Sequence, residues 1–156
     1  MAIEDNKSIP RRFIDEAFNQ GRLGIIDELL VPDYVNHVAG TDVVGRDAMK
    51  QFVSSYRAAF PDYSCTIDDQ VAEGDKVVTR WTARGTQQGE LMGIPPTGKQ
   101  VSLGGVAIDR LVDGQVAETW LEADVLGMLQ QLGVVPPRAR LAALWLRRRS
   151  RPHTMH

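Results

Sequence analysis

At 156 residues, 43% hydrophobic and 24% charged, the chain suits one domain with a sizeable core and has no low-complexity tract. No stretch approaches the roughly 18 apolar residues of a membrane span. The opening MAIEDNKSIPRR lacks the apolar centre of a secretory signal, and Cys65 is the only cysteine, so a cytoplasmic protein is expected. Six arginines and no acid follow Pro137; without them 12 basic residues face 20 acidic ones, a net charge of −8 that argues against nucleic-acid binding.

Residues 8–20 read as a helix capped by Ser8, with Pro10 in its first turn and Phe13, Ala17 and Phe18 on one face. A short helix from Ile25 to Leu30 ends before Pro32, and DYVNHV is extended. RDAMKQFVSSYRAAF repeats apolar residues at helical spacing until Pro61. The period then alternates. SCTIDDQVAE and KVVTRWTARGT form two strands about Gly74-Asp75, and KQVSLGGVAIDRLV and QVAETWLEAD form two more about Asp113-Gly114. The segment between Gly89 and Gly98 is a long loop; it lacks the spacing of a phosphate-binding loop despite Lys99. VLGMLQQL is a final amphipathic helix ending at Gly133.

Helices followed by antiparallel strands is the α+β order, with the helices on one side of the sheet. The division expected is one domain over residues 1–136 and a basic extension over 137–156, helical or disordered. If helical, it carries Leu141, Leu144 and Trp145 on one side.

A strand repeats every two residues, so Trp120 and Asp124 share a face if the strand is regular. That places a carboxylate at the end of an aromatic wall, where desolvation would raise its pKa towards that of a general base. The alternative is that Asp124 only caps the helix that follows it. Glu118 and Glu122 have the same parity, and three unpaired acids would not fit a closed pocket, so a bulge or an exposed strand end is required. Pairing of Glu118 with Arg80 or Arg110 is expected. His37 is a second candidate acid or base. No spacing links it to His153 or His156, so no metal site is expected.

AFPD at 59–62, EGD at 73–75, GT at 85–86, GIPPTGK at 93–99, DGQVAETW at 113–120, Asp124 and LGMLQQLG at 126–133 together resemble the SnoaL-like polyketide cyclase and ester cyclase family. The resemblance runs over residues 8–136. It implies a cystatin-like or ketosteroid-isomerase-like cone: helices packed in a strongly curved, mainly antiparallel four-stranded sheet with an apolar pocket. It also implies a homo-oligomer, dimer or tetramer, and ring closure by aldol chemistry without metal or organic cofactor. An Asp near the end of the last strand is the family's acid/base, and Asp124 holds the matching place. Gln87 stands where many relatives have His.

The reading is a cofactor-independent enzyme acting on a small apolar carbonyl or polyketide-like substrate by cyclisation or isomerisation. Asp124 and His37 are its catalytic candidates. Trp120, Gln87, Met92, Tyr56, Trp81 and Phe60 are its candidate wall, with Tyr56 able to donate to an enolate. The alternatives are a non-catalytic binder of a hydrophobic small molecule, favoured by Gln87 in place of His, and an epoxide hydrolase using Asp124, Arg80 and Glu118.

Overall fold

The computed structural model describes residues 3–38, 40–136 and 138–149. Helix α1 (Ile3–Arg12) runs into a π-helical segment, Phe13–Asn19, and is followed by α2 (Ile25–Leu29). Ser8 and Pro10 therefore lie inside the helix rather than at its start. A proline removes an N–H and crowds the preceding turn, and the change to π geometry begins three residues after Pro10.

Strands β1 (Leu30–Val38) and β2 (Thr41–Val44) precede helix α3 (Arg46–Ala59). Then come β3 (Ser64–Glu73), β4 (Lys76–Thr86), β5 (Gln100–Val112), β6 (Gln115–Ala123), α4 (Val125–Leu132) and α5 (Arg138–Arg149). The basic extension is thus helical over its described part, and residues 142–147 are exposed. His153 and His156 lie outside the described residues.

The sheet is α+β as expected but has six strands rather than four, in the order β2-β1-β6-β5-β4-β3. The four strands read from alternation form its β6-β5-β4-β3 side. The extended DYVNHV joins them as β1, parallel to β6 and antiparallel to β2. Its pattern is hard to read because Tyr34 and Asn36 both point inward. An inward asparagine breaks the apolar alternation by which a strand is recognised.

One irregularity decides which side chains meet. Leu111 pairs with Val116, but Arg110 pairs with Glu118, so Ala117 is an extra residue in β6. Such a bulge flips the parity of everything after it. Val116 points inward, and beyond the bulge Thr119, Leu121 and Ala123 do so instead. Trp120 and Glu122 are exposed on the outer face.

The helices pack on the inner face. Ala17, Ile26, Met49 and Val53 meet Leu30, Tyr34 and Val116 at one end of the sheet. Ala59, Phe60, Leu91, Met128 and Leu132 meet Val101 and Leu103 at the other. Between these two clusters the inner face is left open.

Candidate active site

That opening is a cavity of about 110 Å3. Its aromatic wall comes from Phe13, Phe18, Phe52, Tyr56, Tyr63 and Trp81. Phe13 and Phe18 meet edge to face at 5.5 Å, and Phe18 stacks on Tyr63 at 5.5 Å. Trp81 lies over Gly105, its partner on the neighbouring strand, where any Cβ would collide with the indole.

The polar groups concentrate in one row across the sheet. The register places Asn36 of β1 beside Thr119 of β6, and Thr119 beside Asp109 of β5. Tyr34 Oη donates to Thr119 Oγ1 at 2.7 Å, and Thr119 Oγ1 donates to Asp109 Oδ1 at 2.5 Å. All four residues line the cavity.

Asp109 is buried, and burial pushes its carboxyl up to about 6, partly offset by the Thr119 hydrogen bond. Oδ2 takes no hydrogen bond among the described residues. Asp109 therefore offers one anchored oxygen and one free oxygen in an apolar chamber. Its ionisation lies near neutral pH, where a proton can move in either direction. Burial and the nearby Asp109 charge also hold the Tyr34 phenol far above its ordinary range, so it remains a donor.

Of the residues expected from sequence, Tyr56 and Trp81 line this cavity. Burial raises the Tyr56 phenol as well. The others stand elsewhere. Asp124 is exposed and caps α4, accepting from the Gly127 amide at 3.0 Å. Trp120 is outward, stacked on His37 with centroids 5.6 Å apart. His37 is held on that face between Glu118, 2.7 Å from Nε2, and Asp42, 2.9 Å from Nδ1. Both hydrogen bonds raise its pKa, Glu118 the more, while Glu118 is lowered by His37 and Arg110.

Gln87 is wholly buried but points into its own loop. It donates to Gly89 O and Ile94 O and accepts from the Thr97 N–H and hydroxyl. An amide with all its valences so engaged is a loop pin. Met92 is 62% exposed at a turn with φ of 52°. Phe60 faces a separate void with Gly85, Val101 and Met128.

The acids also resolve as pairs. Glu118 takes Arg110 at 3.3 Å, and Arg80 lies 3.6 Å from Asp68. Asp124, Arg80 and Glu118 line no part of the cavity, so the set needed for epoxide hydrolysis is not assembled there. No cluster of three or more His, Cys, Asp or Glu side chains suited to a metal ion occurs among the described residues.

Asp109, Thr119, Tyr34 and Asn36 were missed from sequence. The available signal was Asp109 itself, an acid sharing the parity of Leu103 and Leu111 on a strand otherwise buried on that side.

The family model for SnoaL-like polyketide cyclases matches residues 9–132. The chain belongs to the SnoaL-like polyketide cyclase family. It is 33% identical over 120 residues to the nogalonic acid methyl ester cyclase of Streptomyces nogalater, covering 75% of this chain and 90% of that one. To the aklanonic acid methyl ester cyclase DauD of Streptomyces sp. strain C5 it is 28% identical over 127 residues, covering 79% and 78%. Among solved structures, TsrD from Streptomyces laurentii superposes with a TM-score of 0.79 at 32% identity, covering 86% of this chain and 99% of that one. Among the described residues of this family member no helix is long and apolar enough to cross a membrane.

Proposed function

We propose that this SnoaL-like protein is a cofactor-independent cyclase that closes a carbocyclic ring of a polyketide-like substrate, with Asp109 as the proton-transfer group. The observation that carries the reading is a buried carboxylate with one free oxygen, ionising at about 6, at the polar end of an aromatic cavity. Asp109 removes a proton from a carbon alpha to a carbonyl, leaving an enolate. The enolate carbon attacks a second carbonyl of the same molecule, forming a C–C bond and an alkoxide. The alkoxide takes the proton back from Asp109. No atom is gained or lost, and the carboxylate is regenerated.

Thr119 orients Asp109 by donating to Oδ1, and Tyr34 steadies Thr119 by donating to its hydroxyl, which leaves Oδ2 to do the chemistry. Tyr56, a cavity-wall residue whose hydroxyl has no hydrogen bond among the described residues, would donate to the developing oxyanion. The curated relatives suggest the substrates to try first. Nogalonic and aklanonic acid methyl esters would be incubated with wild type, Asp109→Asn and Asp124→Asn, and ring closure followed by chromatography. Loss of turnover in Asp109→Asn with retention in Asp124→Asn supports the assignment; the reverse pattern sinks it.

We also infer a homo-oligomer formed through the outer face of the sheet. The register there aligns Trp120, Ile108, Val78 and Val71 in one apolar row across four strands. Glu118, Arg110, Lys76 and Glu73 form the row beside it, a sequence of charges that reads negative, positive, positive, negative. Such a row can face its own copy about a two-fold axis.

A further inference from the structure

The side chain of Asn36 is a buried polar group of the site with no adequate partner among the described residues. Asn36 is 2% exposed, and its Oδ1 has no hydrogen-bond partner among the described residues. Its Nδ2 reaches only the thioether of Met49, at 3.9 Å. Sulfur is a weak acceptor, so either orientation of the amide leaves one polar atom facing a thioether and the other facing nothing. A buried amide in that condition is less stable than a satisfied one, because it has lost its water without gaining a partner. Leucine at this position would be nearly isosteric and free of that cost.

The neighbours of Asn36 show what the amide is for. The other residues of its row are bonded to one another, Tyr34 to Thr119 and Thr119 to Asp109 Oδ1. Thr79, also on the cavity wall, accepts from Gln70 Nε2 at 3.1 Å. The carbonyl oxygen of Asn36 is an acceptor in the same cross-strand row of the cavity wall as Asp109, with no donor among the described residues. A donor carried by a ligand would satisfy it.

We propose that Asn36 is a specificity-determining residue that accepts a hydrogen bond from a hydroxyl of the substrate, at the end of the cavity where Asp109 acts. The inference rests on the cyclase reading and narrows it. The substrate is an aromatic or polyketide-like carbonyl compound that carries a phenolic or enolic hydroxyl at its polar end. A compound without that hydroxyl leaves the amide unpaired and is rejected. Sites built around a buried hydrogen-bonding group discriminate in this way far more sharply than apolar walls do.

The test is a pair of planar probes, 2-naphthol and naphthalene, titrated against the full chain by quenching of tryptophan fluorescence. Wild type is expected to bind 2-naphthol at least ~10-fold more tightly than naphthalene, and Asn36→Leu to reduce that preference to within about threefold. Naphthalene affinity should be unchanged or improved in the variant, which a merely structural role for Asn36 does not produce. Asn36→Ala carries the same expectation, should the larger side chain prevent folding. Asn36→Ser, which restores an acceptor, should recover part of the preference. Retention of the full preference in Asn36→Leu or Asn36→Ala overturns the assignment while leaving the cyclase reading intact. Failure of wild type to bind either probe overturns the cyclase reading of the cavity and the assignment with it.

Discussion

Thr119 and Asp109 stand directly opposite each other on β6 and β5, joined by a 2.5 Å hydrogen bond that the threonine donates. The bond leaves the carboxyl group unequal at its two ends. One oxygen is fixed to the sheet and the other faces an apolar chamber, so burial and orientation are supplied by the same pair of strands.

The first prediction concerns stability. Asp109 ionises at about 6 in the folded chain against an ordinary value of 3.8. Below pH 4 both folded and unfolded chains hold the proton. Between pH 4 and 6 the unfolded chain releases it first, so stability falls as pH rises, and above pH 6 the loss is complete. The difference amounts to roughly 3 kcal/mol. Asp109→Asn should therefore be the more stable protein at pH 8 and lose that advantage at pH 4, as read by urea denaturation at both. An unchanged gap at the two pH values would contradict the buried ionisation.

The same group sets the expected rate profile. A base must be ionised, so kcat/KM should rise with pH through about 6 and then level. Thr119→Val removes the donor that favours the ionised form and should move the midpoint upward. A midpoint unmoved in Thr119→Val would mean that another group governs the rate.

Asp124 should behave as a helix cap. Asp124→Ala costs about 1 kcal/mol of stability and should leave turnover within about twofold, since the cap lies outside the cavity wall. Gly127→Ala provides an independent check. Its Cβ would collide with the Asp124 carboxyl, so it should reproduce the loss with the aspartate still present. Thermal melts of the two variants and the double variant test this, and additive losses would count against it.

On the outer face, His37 should titrate above its ordinary 6.5 because Glu118 and Asp42 hold its charged form. The stability this supplies is present at low pH and lost as pH rises through the elevated value. Glu118, held below its ordinary range, contributes in the opposite sense and loses its contribution as pH falls. An NMR titration of His37 in Glu118→Gln should show the midpoint returning towards 6.5.

If that face joins two copies, Trp120→Glu should shift the protein to monomer in light scattering without disturbing the cavity. A wild type that is already monomeric at tens of micromolar would remove the proposal.

Most of the fold was legible because its signals are local. Alternation and the two hairpins at Gly74-Asp75 and Asp113-Gly114 place β3 to β6, and the Asp124 cap with Gly133 bounds α4. The face of β6 that meets the site was misread for one physical reason. Trp120 and Asp124 do share a face, but carrying the inward parity of Val116 across the extra residue at Ala117 turns that face outward and puts Thr119 inside. The shared parity of Glu118, Glu122 and Asp124 asks for a bulge or an exposed strand end without locating it, and a bulge's effect reaches every residue beyond it. β1 reads as extended but not as a member of the sheet, because its inward side chains include Asn36, which breaks the apolar alternation.

Gly105 has a consequence of its own. The indole of Trp81 rests on bare backbone there, so the breadth of the chamber is fixed by a side chain that does not exist. A single methyl at residue 105 would lift the ring into the space a ligand would fill. Gly105→Ala should accordingly shift preference towards narrower molecules while leaving Asp109 and its ionisation untouched. Which molecules the chamber admits and what happens to them once inside are thus set at separate addresses, and one can change without the other.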